Sequence, residues 1–364
     1  MINQRTSRSR TRRKGRRSQA PRGGKRQLLY LGIVLVLLGC KYLYEEKLSA
    51  EEPTANNIEQ VAAPSSPSTT SAPETETAPE TETEPAKPAK NEVAPIAKKA
   101  KYKTLREGWA ELPADVERDD LYTTYHMCDD GRRNYTVCFS SEQRCPVWVA
   151  SPMHPSYKGE APRSDAFIFD PTLPMDVQPL LRRSYGEYTR GHMLGSAERT
   201  TSEQANRQTF YASNIAPQLQ VGFNASNGAW NNWERFADKQ SCADTLYVVT
   251  GCLFEDYADA SGLEVKAATT VNKNDGEKVG VPTAYYKVLL RTREGTTGRS
   301  VGECKANELK CAAFVVGHYS AKGRKPTAAD MMSVEELERL TGFTFFANVP
   351  NAPKSKAVAA DWGL

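Results

Sequence analysis

The globular part of this 364-residue sequence has almost no net charge. Residues 1–27 hold eleven Lys or Arg and no acidic residue, and residues 45–90 hold ten Glu against three Lys. Lys41 adds one positive charge, and because the whole chain carries +4, residues 91–364 carry −1. A strongly basic domain would by itself have indicated nucleic acid as the partner. Without that excess, any bound phosphate has to meet a local group of Arg and Lys or a metal ion.

Cysteine pairs of the kind that bind zinc are also missing. No Cys-x-x-Cys pair occurs, and His318 stands alone near Cys311, so a zinc site is only a minor alternative. Seven of the eight cysteines lie beyond residue 100, which is typical of disulfides in an oxidising compartment. Cys304 and Cys311 bracket a short loop and could pair, and Cys242 with Cys252 is a weaker candidate. The odd count leaves one thiol over.

A basic arm runs directly into an apolar run at residues 28–40. Positive charge before an apolar segment places the N-terminus in the cytoplasm and the rest of the chain outside it. We therefore predict a cytoplasmic tail at 1–27 and a transmembrane signal anchor at 28–44, where flanking aromatic residues extend the short run. The alternative is a lipoprotein signal that ends at Cys40. Both interpretations give a membrane-anchored protein with its folded domain outside the cytoplasm.

The segment 45–103 is rich in Ala, Pro, Thr and Glu and has almost no large apolar side chains. Such a segment cannot offset the entropy of ordering by burial, so it is predicted to be a disordered linker. The composition becomes globular from residue 104. One domain at 104–350, followed by a tail at 351–364, is the simplest organisation.

The periodicity within this domain predicts both strands and helices. The apolar runs with strand character lie at 146–150, 245–250, 284–290 and 311–316. The helical stretches lie at 202–209, 228–239 and 333–340. Strands of this length, separated by loops rather than by regular crossover helices, favour an α+β domain with a largely antiparallel central sheet flanked by helices.

Four short segments with chemical character fall within 45 residues. They are Arg-Gly-His within 189–192, Ser-Asn-x-x-Pro-Gln at 213–218, Phe-Asn within 222–228, and Trp-x-x-x-Glu at 230–234. Each has an ordinary structural explanation when it is taken alone. A histidine in a loop is more often surface than catalytic, and Asn214 and Asn227 are typical turn and capping residues.

Together the four segments supply what phosphodiester hydrolysis needs. His192 suits a general base because a neutral imidazole titrates near working pH. A hard cation such as Mg²⁺ prefers oxygen ligands and keeps most of its waters, so one Asn oxygen can be its direct protein ligand. Glu234 could accept hydrogen bonds from the cation's waters. Arg190 could pair with a phosphate in bidentate fashion.

The order of these motifs resembles the DNA/RNA non-specific endonuclease family, of the ββα-metal (His-Me finger) class. The similarity runs from about residue 163 to residue 346, and the four-part set is specific although no single piece is. The resemblance implies a ββα-metal nuclease domain that cleaves DNA and RNA with little sequence preference and leaves 5′-phosphate ends. It also implies a hydrated Mg²⁺, with Mn²⁺ as a possible substitute.

The same resemblance assigns roles to individual residues. It implies that His192 is the general base and that Arg190, Asn214 and Glu234 support it. Arg163 is the candidate for an upstream arginine of the family. An Asn is implied as the metal ligand.

Two departures from the family pattern bear on these assignments. The motif usually begins Asp-Arg-Gly-His, whereas Thr189 stands here in place of the Asp, so altered support without loss of activity is expected. The loop before Trp230 is two residues longer, and Ser226 occupies the usual Asn position. Asn224 is therefore the favoured metal ligand, and Asn227 is the fallback.

Other functions remain compatible with the sequence. The chain could be confined to DNA or to RNA, or it could be a degenerate nuclease kept as a nucleic-acid-binding module. A disulfide-linked envelope interaction protein would explain the anchor, the linker and the cysteines, but it would leave the four-part set as coincidence. The sequence gives no indication of the oligomeric state.

Overall fold

The computed structural model describes residues 108–364. The predicted cytoplasmic tail, the anchor or lipoprotein signal and the linker lie outside these described residues. Within the described part of the chain, no helix has the length and apolar character needed to cross a membrane.

The domain is built on one seven-stranded antiparallel sheet with strand order β1-β2-β3-β6-β11-β12-β13. Three two-stranded sheets, β4-β5, β7-β8 and β9-β10, accompany it. The strands are β1 Leu121–Met127, β2 Arg133–Ser140, β3 Cys145–Met153, β4 Tyr188–His192, β5 Ile215–Leu219, β6 Leu246–Leu253, β7 Tyr257–Ala258, β8 Glu264–Val265, β9 Ala268–Val271, β10 Lys278–Val281, β11 Ala284–Thr292, β12 Leu309–Gly317 and β13 Met331–Met332.

The described residues also form three α-helices: α1 Glu203–Gln208, α2 Ala229–Asp238 and α3 Val334–Thr341. Each predicted strand run and each predicted helical stretch coincides with one of these elements. The α+β domain with a largely antiparallel sheet is therefore confirmed. Ser333 caps α3, because its hydroxyl accepts a hydrogen bond from the Glu336 amide at 3.2 Å while the Glu336 carboxylate accepts one from the Ser333 amide at 2.8 Å.

The central sheet is covered by apolar side chains on both faces. Successive residues of β11 alternate between the two faces, so that Tyr285 and Leu289 enter one core cluster while Tyr286 and Val288 enter the other. Helix α2 covers the first face through the fully buried Trp230. A strand buried on both sides explains why the sequence of β11 is apolar at most positions rather than alternating.

A hairpin and helix α2 together form a ββα unit on the α2 face of the sheet. Strands β4 and β5 pair antiparallel, with Gly191 opposite Ala216 and His192 opposite Ile215. A tight turn at Gln220–Asn224 then leads into α2. The sequence motifs thus lie on one contiguous unit.

The segment 351–364, predicted as a tail, packs on the domain. Trp362 is 2% exposed and its ring lies 5.8 Å from that of Phe314 on β12. The ammonium of Lys310 lies 4.5 Å above the Trp362 ring and donates to the backbone oxygen of Asp361. The apolar core therefore includes this segment.

The seven cysteines of the described residues are free thiols in the structure, and all but Cys242 are buried. Cys304 donates to the backbone oxygen of Ser300, and Cys242 donates to that of Asp244. The pairing of Cys304 with Cys311, and of Cys242 with Cys252, stays a prediction.

Candidate active site

A cleft of about 530 Å³ opens beside the ββα unit. Five of the seven predicted site residues line it, namely Arg163, Arg190, His192, Asn224 and Glu234. These side chains come from the loop before β4, from β4 itself, from the turn after β5 and from α2. The fold therefore gathers residues separated by 71 positions into one concave surface.

His192 ends β4 and is held between two aromatic rings. The ring of Phe210 lies 4.8 Å from the imidazole and that of Phe167 lies 5.8 Å from it, both edge to face. The side chain is only 9% exposed. Its Nε2 atom is buried and has no hydrogen-bond partner among residues 108–364. An unpartnered buried nitrogen that lines a cleft is the arrangement expected of a group that acts on a bound molecule.

The surroundings of His192 keep its imidazole neutral. Burial lowers its pKa to about 3, and the positive charges of Arg163 and Arg190 act in the same direction, against the negative charge of Asp165, which is ion-paired with Arg163 at 2.6 Å. Both effects disfavour the imidazolium ion. At neutral pH, therefore, the ring can accept a proton.

The two arginines are stacked on the same aromatic pair that holds His192. The Arg190 guanidinium lies 3.7 Å above Phe167 and also donates to the backbone oxygen of Leu181 at 2.9 Å. The Arg163 guanidinium lies 4.8 Å above Phe210. Because the rings of Phe167 and Phe210 contact each other at 5.0 Å, they together set the distances between the two guanidinium groups and the imidazole.

Asn224 is oriented by Gln218 of β5. The Asn224 amide nitrogen donates to the Gln218 side-chain oxygen, which leaves Oδ1 as the atom that can face a cation. Gln218 reaches this position because it crosses over Gly191, where an added methyl group would overlap its side-chain carbons. The Gly of the Arg-Gly-His motif is thus explained by this close approach.

The turn that carries Asn224 is fixed from two sides. Gly222 has φ of +75° and lies against Ser320, so neither its conformation nor its space admits a side chain. At the start of the turn, the amide of Leu219 donates to Nε2 of His318 at 2.9 Å. His318 in turn donates from Nδ1 to the Pro282 backbone oxygen at 2.7 Å. Both ring nitrogens of His318, a candidate zinc ligand in the sequence, are thus engaged in hydrogen bonds within the fold.

Glu234 projects from α2 into the cleft as a partly buried carboxyl group. Burial raises its pKa to about 7, the buried ammonium of Lys287 opposes this rise, and the negative charge of Glu198 adds to it. Lys287 lies 4.9 Å above the Trp230 ring, beneath the helix. The protonated and ionised forms of Glu234 are therefore both populated near neutral pH, and a nearby cation would favour the carboxylate.

The remaining two predicted site residues do not line the cleft. Asn214 is fully buried, and its side chain bonds both the amide and the carbonyl of Leu194, at 3.0 Å each. It therefore fixes the chain that leaves His192. Asn227 is exposed with φ of +63° just before α2. Of the two Asn candidates for a metal ligand, only Asn224 lines the cleft.

Sequence reasoning missed several residues of this site. Phe167 and Phe210 lie outside the four motifs, and an isolated phenylalanine carries no sign of what it will stack against. Glu198 follows His192 by six positions and ends a short turn, Ser196–Glu198. Lys287 did carry a signal in the sequence, because it interrupts an apolar strand. A lysine is almost never buried without a partner, so its position indicated a nearby negative charge or acceptor.

The donor set of the cleft fits a hard divalent cation held largely through its waters. An amide oxygen from Asn224 and nearby carboxyl groups are the ligand types that Mg²⁺ prefers. Within the described part of the chain, no group of three or more His, Cys, Asp or Glu side chains could hold a metal ion. A cation here would accordingly have few direct protein ligands.

Comparison with known proteins points to one family. The sequence model described as DNA/RNA non-specific endonuclease matches residues 124–352. Over 237 residues the chain is 26% identical to mitochondrial endonuclease G of Bos taurus, which covers 63% of this chain and 73% of that protein. It is 28% identical to nuclease C1 of Cunninghamella echinulata var. echinulata over 230 residues, with 59% and 81% covered.

Two further matches are a second mitochondrial nuclease and a solved structure. The chain is 28% identical to the mitochondrial nuclease EXOG of Homo sapiens over 221 residues, which is 59% of this chain but only 56% of that protein. A chain in a crystal structure of the EndoG/EndoGI complex superposes with a TM-score of 0.49 at 23% identity, covering 62% of this chain and 86% of that chain.

The family match spans more than half of the sequence and includes all four motifs. This chain belongs to the DNA/RNA non-specific endonuclease family. It is a nuclease that hydrolyses nucleic acids.

Proposed function

We propose that this nuclease is a metal-dependent endonuclease that cuts both DNA and RNA with little sequence preference, with His192 as general base. One observation carries the proposal: the unpartnered Nε2 of His192 lines the same cleft as Asn224, Glu234 and two guanidinium groups. A base, a cation seat and phosphate-binding cations are the groups that an in-line attack of water on a phosphodiester requires.

Substrate binding strengthens the base. In the free cleft, burial and the two arginines hold the pKa of His192 at about 3. A phosphodiester bound to Arg163 and Arg190 would offset their positive charge and add a negative charge near the ring. The imidazole then becomes more able to take a proton from water as that water attacks.

Asn224 and Glu234 are the residues that would hold the cation. The Gln218 contact fixes the Asn224 amide so that its oxygen is the free atom, and the Glu234 carboxylate would accept hydrogen bonds from the cation's waters. When bound, Mg²⁺ or Mn²⁺ would neutralise charge on the nonbridging and leaving oxygens of the scissile phosphate.

The positions of the two arginines support broad substrate use. Guanidinium groups directed at phosphate oxygens position a strand but read no sequence, because sequence is read at base edges. Arg163 and Arg190 are both anchored on the aromatic pair beside His192. Recognition centred on the phosphate is the same for DNA and RNA.

One assay tests the enzyme directly. Purified full-length chain is incubated with supercoiled plasmid and with a structured RNA, with Mg²⁺ or with EDTA. Cutting of both substrates only with the metal is expected. Binding by gel shift without cutting would instead indicate a degenerate nucleic-acid-binding module, and neither activity would contradict both functions.

The metal seat is tested by a pair of matched Asn substitutions. Asn224→Ala should raise the Mg²⁺ concentration for half-maximal cutting by about tenfold or more. Asn227→Ala should leave that concentration unchanged, because Asn227 does not line the cleft. The reverse pattern would assign the ligand to Asn227.

We also propose that residues 28–44 anchor the nuclease in the cytoplasmic membrane with its catalytic domain outside. The support is the basic arm at 1–27 followed by the apolar run. Added protease should digest the domain in spheroplasts without lysis. Globomycin-sensitive processing would favour lipidation at Cys40, and recovery of the full chain in the soluble fraction would contradict both modes of anchoring.

A further inference from the structure

Glu198 is a second carboxyl group in the active-site cleft. It lines the cleft together with His192 and Glu234. It ends the short turn Ser196–Glu198, which follows directly on the chain that Asn214 fixes. Its position is therefore tied to the backbone that leaves His192.

Glu198 is a largely buried residue whose carboxylate has no partner in the described part of the chain. The residue is 9% exposed, and no hydrogen bond or ion pair reaches its carboxylate oxygens from residues 108–364. The nearby Arg199 guanidinium donates instead to the side chain and backbone of Asn134 and to the backbone oxygens of Pro152 and Glu198. The carboxylate oxygens of Glu198 therefore keep their hydrogen-bonding capacity for a molecule in the cleft that the residue lines.

Glu198 also acts on Glu234 through space. Its negative charge raises the pKa of Glu234 and so opposes ionisation of the second carboxyl group. Two carboxylates in one enclosed cleft repel each other, and a cation or its polarised waters between them would remove the penalty. Lys158, the lysine that lines the cleft, is paired with Asp238 at 3.0 Å.

We propose that Glu198 is a positioning residue for the hydration shell of the catalytic cation, accepting hydrogen bonds from its waters alongside Glu234. This inference rests on the proposed function, which seats the cation at Asn224. Its role differs from that of Asn224, because Glu198 would bind the waters and not the ion itself. The cation would then be held between a turn after β4, a turn after β5 and helix α2.

The test measures metal binding by the full-length chain without substrate, using the electron paramagnetic resonance signal of free Mn²⁺. Glu198→Gln should raise the Kd for Mn²⁺ about tenfold, the range seen when outer-shell partners are removed. Glu160→Gln is the matched control, because it removes one exposed carboxylate outside the cleft, and it should change Kd less than twofold.

A conservative variant distinguishes the loss of hydrogen bonds to the cation's waters from a structural defect. Glu198→Asp keeps the charge and should recover most of the Mn²⁺ affinity, whereas a structural loss would be shared by both variants. Wild-type affinity in Glu198→Gln, with the wild type binding Mn²⁺, would overturn this inference alone. No Mn²⁺ binding by the wild type would overturn the metal-dependent function and this inference together.

Discussion

The side chain of Gln218 crosses over Gly191 at the centre of the β4-β5 hairpin, in space that any side chain at residue 191 would fill. This relationship links two of the sequence motifs. The Gly of Arg-Gly-His makes room for the Gln of Ser-Asn-x-x-Pro-Gln, and that Gln accepts a hydrogen bond from the amide of Asn224. The geometry of the proposed metal seat thus depends on a glycine that never contacts it.

Gly191→Ala should disturb both the hairpin and the metal seat. The added methyl overlaps the fully buried Gln218, and overpacking of this kind costs about 1–3 kcal/mol. Urea unfolding measures the loss of stability, and the Mg²⁺ concentration for half-maximal cutting measures the displacement of Asn224. Gly302→Ala is the control, because its surroundings are open. Equal behaviour of the two variants would refute the account of Gly191.

Phe167→Leu should slow catalysis more than it destabilises the fold. The ring supports His192 at 5.8 Å and Arg190 at 3.7 Å, so its loss allows both groups to shift. A displacement of about 1 Å in a reacting group can cost on the order of a hundredfold in rate. We expect a fall in kcat of about tenfold or more, with little change in the urea midpoint.

The control for Phe167 is Phe236→Leu. Phe236 contacts Phe314 at 5.0 Å and does not line the cleft. Its replacement should lower the urea midpoint while kcat stays near the wild-type value. A normal kcat in Phe167→Leu would show that the aromatic support of His192 is dispensable.

Cutting should fall off in acid through the protonation of Glu234. Its pKa is raised to about 7, chiefly by burial, and the carboxylate accepts hydrogen bonds from the cation's waters more strongly than the protonated acid does. A cation favours the ionised form, so higher Mg²⁺ concentrations should move the acid limb of the activity profile to lower pH. In Glu234→Gln the acid limb should no longer shift with Mg²⁺, and activity should fall about 10–100-fold. An acid limb unaffected by Mg²⁺ would argue against the assignment.

His192 should also make the fold sensitive to acid. Its pKa is depressed to about 3 in the folded chain, whereas an unfolded His titrates near 6.5. Above about pH 6.5 both states are neutral, and the contribution to stability is complete. As the pH falls from there toward 3, the unfolded state takes up the proton first. The loss approaches about 1.4 kcal/mol per pH unit.

The measurement is urea unfolding at pH 7.5 and at pH 5.5 for the wild type and for His192→Gln. Glutamine has no titrating group, so the variant should lose about 1 kcal/mol less than the wild type between these two conditions. An identical loss in both proteins would mean that the imidazole is not kept neutral by the fold.

Much of the fold was predictable because its signals are local. The apolar runs of β3, β6, β11 and β12 and the Ser333 cap of α3 depend on neighbouring residues, and the structure places elements at each of them. The order of the four motifs likewise located the cleft. Local signals could not predict which side chains line the cleft.

Asn214 and Glu198 illustrate that limit from opposite directions. Asn214 stands in a diagnostic motif, yet it holds the Leu194 backbone and does not line the cleft. Glu198 stands in no motif, yet the turn after β4 brings it to the cleft wall. Which side of a loop a residue faces is decided by packing across the sheet, and short-range pattern does not encode that.

The most direct test of the central claim is chemical rescue of His192→Ala. We predict that this variant of the full-length chain binds Mn²⁺ like the wild type but cuts plasmid DNA about 10²–10⁴-fold more slowly, the usual contribution of a general base. Added imidazole should restore part of the rate in a metal-dependent manner. Cutting by His192→Ala at the wild-type rate without imidazole would contradict the assignment of His192 as the base.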